Sequence, residues 1–127
     1  MSLSALVLLA AMSVSDGPSE DRTDIYQQLI VSYTEVLLVG HACQPYGATA
    51  HPYVVEQTIN DLVELGLSET EAKEMVDGII SAEGSKTQVI VKEEAALNEH
   101  AAVFYCTVGY KEKLEALNEL RDKVGLQ

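Results

Sequence analysis

Residues 24–43, DIYQQLIVSYTEVLLVGHAC, place Ile25, Leu29, Tyr33, Val36, Gly40 and Cys43 at successive steps of three or four. That period puts all six on one face of a helix running from about Asp24 to Cys43, and it turns Cys43 toward the core. The next segment, Gln44 to Pro52, contains Pro45, Gly47 and Pro52 and reads as a loop. Pro52 suits the first turn of a second helix, where its missing N–H leaves no bond unmade. Val55, Ile59 and Leu62 mark that helix, and Gly66 offers the left-handed residue that ends it.

Ser68-Glu69-Thr70-Glu71 has the form of a capping box and starts a third helix. Ala72, Met75, Val76, Ile79 and Ile80 form its core stripe, and Gly84 is read as its stop. Val89-Ile90-Val91 is β-branched, but the Glu-, Ala- and Leu-rich residues after it supply no second strand. A fourth helix from about Thr87 is therefore expected, with Leu97, Ala101, Phe104 and Val108 buried and Cys106 near that face. Leu114, Leu117, Leu120 and Val124 resume the pattern after Gly109, either as the same helix bent there or as a fifth; continuation is favoured. The fold class is all-α, a small bundle of four to five helices with a long C-terminal helix.

Compartment follows from the start of the chain and its cysteines. Ser4 to Met12 is an apolar run ended by the small-x-small triplet Ser13-Val14-Ser15, so residues 1–15 read as a signal peptide, although Met1-Ser2-Leu3 lacks a basic residue. Residues 16–23 then form a flexible acidic N-terminus and 24–127 a single helical domain. Localisation is periplasmic or secreted, where Cys43 and Cys106 close a disulfide; in a reducing compartment they would be buried thiols. The enclosed loop of about 64 residues corresponds to roughly 4 kcal/mol in the chain-entropy description.

Composition bounds the partners. The 127 residues carry 20 acids against 8 lysines and arginines, a formal net charge of −12, which repels nucleic acid and anionic membrane surfaces. Between Tyr53 and Glu83 stand Glu56, Asp61, Glu64, Glu69, Glu71, Glu74, Asp77 and Glu83, with Lys73 the one base. These are read as solvated helical faces or as a docking surface for a basic envelope protein, with Glu64, Glu69, Glu71 and Glu74 as contact candidates. The aromatic set of six Tyr, one Phe and no Trp adds Tyr46, His51 and Tyr53 as a second candidate edge, bracketing the Pro/Gly loop.

Catalytic chemistry finds little purchase. His41 lies two residues from Cys43, which on a helix sends the side chains apart, and the cysteines are too distant for a Cys-x-x-Cys redox centre. His41, Cys43, His100 and Cys106 do not stand at zinc-ligand intervals, and no calcium loop, phosphate loop or serine elbow occurs. No cofactor or metal is expected.

The segments Gly40-His41-Ala42-Cys43, Gly66 to Ala72 (GLSETEA) and Phe104-Tyr105-Cys106-Thr107-Val108-Gly109 give the chain a layout that resembles small exported α-proteobacterial proteins of unknown function. The periplasmic acid-stress chaperones HdeA and HdeB share the size, helical build and single bridge, but none of these motifs. The leading functional expectation is a non-catalytic envelope protein acting through protein–protein contact. The alternatives are an acid-activated chaperone, whose carboxylates on protonation loosen the fold, and an enzyme or redox factor using Cys43 and Cys106.

Overall fold

A computed structural model describes residues 20–126. Helix α1 spans Glu20–Cys43, α2 His51–Glu64, α3 Glu69–Leu97, α4 Glu99–Phe104 and α5 Tyr110–Lys123. A 3-10 turn, Gln44–Tyr46, follows α1, and a π turn, Tyr105–Gly109, joins α4 to α5. Backbone dihedrals stay right-handed helical at Phe104, Tyr105, Gly109 and Tyr110, so residues 99–123 form one long C-terminal helix. The protein is an all-α bundle; no strand occurs among the described residues. The expected signal segment 1–15 and residues 16–19 lie outside them. Residues 20–23, expected to be flexible, are already helical, because an apolar stripe marks where a helix packs and not where it starts.

Helix α1 is the central rod. Tyr26, Leu29, Ile30, Tyr33, Val36, Leu37, Val39, Ala42 and Cys43 are all buried along it, a wider arc than one amphipathic stripe, since α3 and α5 both pack on it and α2 covers a further side. The expected stripe on α3 is also in place: Ala72, Met75, Val76 and Ile79 are buried and Ile80 half-buried.

Local chemistry explains most helix ends. Ser68 Oγ accepts from the Glu71 N–H at 3.1 Å while Glu71 Oε1 accepts from the Ser68 N–H at 3.0 Å, completing the capping box. Helix α2 stops in a Schellman arrangement, with Leu67 N–H bonded to the Leu62 carbonyl, Gly66 N–H to that of Val63, and Gly66 at φ +119°.

Two boundaries differ from expectation. Gly84 does not end α3; it is buried against α1, where a Cβ would come within 3.0 Å of His41 Cδ2, so it is a point of close helix approach. The break lies instead at Asn98, whose side-chain Oδ1 accepts from the Ala101 N–H at 3.1 Å and caps α4. Leu97, Ala101, Phe104 and Val108, expected to be buried, are all exposed.

On α2, Val55 and Ile59 are half-buried, and the inward line runs through His51, Val54, Thr58, Asp61 and Leu62. Asp61 is thus a core residue and not part of the acidic surface. It accepts from Arg121 in a bidentate pair, Nε to Oδ2 at 2.6 Å and Nη2 to Oδ1 at 3.0 Å, and from the Tyr33 hydroxyl at 2.6 Å. The cluster joins α1, α2 and α5 in the interior. Burial, reinforced by the Asp61 bond, pushes the Tyr33 hydroxyl far above its ordinary pKa, and the bond to Asp61 raises that of the guanidinium.

Asp61→Ala strands a buried guanidinium and is expected to destabilise the fold by roughly 3–5 kcal/mol, read from denaturant midpoints at constant slope. Cys43→Ser with Cys106→Ser opens a closure across a separation of 63 residues and is expected to lose about 4 kcal/mol. In that case, adding reductant to the wild type should reproduce the shift.

Candidate functional site

The two cysteines meet. Cys43 and Cys106 form a disulfide with Cα atoms 5.2 Å apart, fully buried and surrounded by Val39, Ala42, Ala48, Val91 and Tyr110. The bridge attaches the end of α1 to the π turn.

That attachment sets which face of the C-terminal helix points inward. Its inward line runs Ala102, Cys106, Tyr110, Leu114, Leu117 and Arg121, with Leu114 half-buried, and begins with three successive steps of four. In an α-helix each step of four overshoots a full turn by roughly 40°. The wider π turn at Tyr105–Gly109 absorbs the drift and keeps Ala102, Cys106 and Tyr110 in line. Thr107 supports it by donating to the Val103 carbonyl at 2.7 Å. Phe104 and Val108, two residues to either side of Cys106, lie about 200° from it around the helix and project outward, while Leu97 is exposed at the end of α3.

Here α3 and α4 make a hairpin with an apolar outer side. Leu97 is 89% exposed, Phe104 64% and Ile90 59%, with Tyr105 and Val108 exposed beside them. Between the helices lies a cleft of about 410 Å³ lined by Thr87, Ile90, Val91, Glu94, Ala101, Ala102 and Tyr105. Large apolar side chains left exposed on a small domain make this side the candidate contact surface. On the other side of α3, Val89 and Lys92 line a shallower groove with Pro45 and Tyr46.

The expected contact residues are spread over different places. Tyr53 is exposed on α2, Tyr46 is half-buried at the disulfide end, and His51 is buried, so the three do not form one edge. Glu64, Glu69, Glu71 and Glu74 are exposed near the turn joining α2 to α3. Glu69 is bonded to Lys73 at 2.9 Å and Glu71 is held by Ser68, which pulls both carboxyls below their ordinary pKa.

His51 belongs to an inner polar group. Its ring lies 6.0 Å from that of His41, and both its Nδ1 and the Tyr110 hydroxyl crowd Gly40, where a Cβ would come within 2.6 Å and 2.8 Å of them. Gly40 is therefore the residue that lets two polar side chains enter the core. Neither His51 Nδ1 nor Tyr110 Oη has a hydrogen-bond partner among the described residues. Burial, then the neighbouring His41, lowers the His51 pKa, and burial pushes that of Tyr110 up to about 12. Both thiols are taken up in the disulfide, and no cluster of three or more metal-ligating side chains occurs among the described residues. No described helix is long and apolar enough to cross a membrane.

No family model, no curated protein and no solved structure matches the chain.

The outward apolar face had a visible signal, the regular spacing of Leu97, Ala101, Phe104 and Val108, but spacing alone does not say which side of a helix is covered. His51, read as a loop residue, is in phase with Val54, Thr58 and Asp61 at helical spacing.

Because folded His51 resists a proton that the unfolded chain accepts near its ordinary value of 6.5, its contribution is intact above that pH and declines as pH falls below it. Unfolding midpoints measured from pH 8 down to pH 5 are expected to fall, and His51→Gln to flatten the decline. An unchanged slope in that variant would assign the decline to other groups.

Proposed function

We propose that this chain is a non-catalytic protein-binding domain of an oxidising compartment, periplasmic or secreted after cleavage near Ser15. The observation that carries this reading is the apolar outer side of the α3–α4 hairpin, with Ile90, Leu97 and Phe104 directed at solvent around an open cleft. Burial of large apolar side chains is the main source of contact free energy between proteins, at about 25 cal/mol per Å² removed from water. A monomer that leaves such side chains exposed forgoes that gain.

The remainder of the molecule suits the same role. The buried disulfide is compatible with secretion, and the exposed carboxylates of α2 and α3 keep the domain soluble. Acid-activated chaperone action is the second reading, favoured by the buried His51. Its protonation would loosen packing and add to the apolar surface already exposed.

The test is affinity capture from an envelope extract with the tagged wild-type domain, a Leu97→Asp/Phe104→Asp variant, and a variant carrying Gln at 64, 69, 71 and 74. Both altered sets are exposed, so native helicity by circular dichroism should be retained. A bound protein, whether another envelope protein or untagged copies of this chain, is expected with the wild type and lost with the Asp pair. The Gln variant is expected to bind as the wild type does, because its four positions lie near the turn joining α2 to α3, away from the hairpin. Capture of nothing above a tag-only control would refute the reading.

A further inference from the structure

We infer that the partner on the α3–α4 face is a second copy of this chain, the two hairpins packing antiparallel about a two-fold axis near Ile90. The inference rests on the reading of this face as a protein-binding surface and names its occupant.

A two-fold contact requires one surface that both projects and receives, because each residue pair occurs twice with the roles exchanged. The outer face meets that condition. Lys86, Ile90, Glu93 and Leu97 recur at steps of four, three and four, so they share one side of α3, and Ile90 and Glu94 also line the cleft. Phe104, one turn beyond the cleft residue Ala101, is exposed. Ile90, both exposed and lining the cleft, therefore projects from the surface that also receives.

Charge selects a copy over a basic protein. Residues 85–112 carry Lys86, Lys92 and Lys111 against Glu93, Glu94, Glu99 and Glu112, one charge from neutrality, while nearly all of the chain's net charge of −12 lies elsewhere. A strongly basic partner would be steered to the acidic surface of α2 and the start of α3, away from the hairpin. Two copies meeting hairpin to hairpin keep their acidic bodies apart.

The order of charges along α3 then sets the direction. Lys86 and Glu94 lie four residues to either side of Ile90, so an antiparallel pair crossing there places each Lys86 opposite the Glu94 of the other copy. Within one chain the two are separated by two helical turns and cannot pair. Lys86 has only a loose internal partner, Glu83 at 3.8 Å, and its side chain is exposed.

The experiment is sedimentation of the full-length domain over a range of concentrations, with native mass spectrometry of the same samples. The wild type is expected at twice the chain mass and Ile90→Asp at the monomer mass with unchanged helicity. Lys86→Glu should weaken the dimer several-fold, and Lys86→Glu with Glu94→Lys should recover it, since only contact between copies brings the two residues together. A wild type that stays monomeric, a dimer indifferent to Ile90→Asp, a charge exchange that restores nothing, or a monomer carrying a small apolar molecule would each overturn the inference. A monomeric wild type that still captures another protein through Leu97 and Phe104 would overturn this inference alone. A monomeric wild type that captures nothing would remove the broader reading as well.

Discussion

The Cys43–Cys106 bridge fixes the orientation of the C-terminal helix, and the exposed surface follows from it. With Cα atoms 5.2 Å apart, the end of α1 and residue 106 must lie side by side, so Cys106 faces inward. Tyr110, four residues on, faces inward as well, and the widened turn improves that alignment against α1. Phe104 and Val108, two residues to either side of Cys106, then lie about 200° around the helix and face solvent. The covalent anchor thereby leaves apolar side chains exposed on an otherwise acidic protein.

The two halves of the core are held by different means. Toward the start of α1, Leu29, Val36, Leu37, Leu62, Val76 and Leu117 fill the interior around the Tyr33–Asp61–Arg121 cluster. A buried ion pair is seldom a net source of stability, because desolvation offsets most of its attraction. Here the carboxylate accepts from two side chains on different helices, so the cluster penalises any packing of α1, α2 and α5 that separates them. Specificity of arrangement is the better account of its presence.

The same distinction explains what the sequence made legible. The α1 face, the α3 stripe, the Ser68 capping box and the Gly66 stop were readable because each is a periodic or local pattern along a single stretch of chain. Asp61 was hidden because its partners, Tyr33 and Arg121, lie 28 and 60 residues away, and one acid among eight has no local mark. Gly84 was misread for a related reason: a glycine that ends a helix and one that admits a neighbouring helix look alike until the neighbour is placed. At the exposed hairpin, spacing identified a stripe correctly and its side wrongly. Which side is buried was decided by Cys106, through a bond to a residue 63 positions earlier.

The position of the covalent link is intelligible on energetic grounds. The core cluster around it is the smaller of the two, and beside it lie His51 Nδ1 and Tyr110 Oη, which have no hydrogen-bond partner among the described residues. A smaller cluster buries less apolar area, and a buried polar atom left unpaired costs about 1–3 kcal/mol. Non-covalent packing is thus weakest where α1 ends and the hairpin begins, which is also where α3 and α4 must be held to present Ile90 and Phe104. A disulfide placed among the large aliphatic side chains of the other half would reinforce helices already tied by Asp61. Placed at Cys43 and Cys106, it stabilises the half that needs it and holds the hairpin on the bundle.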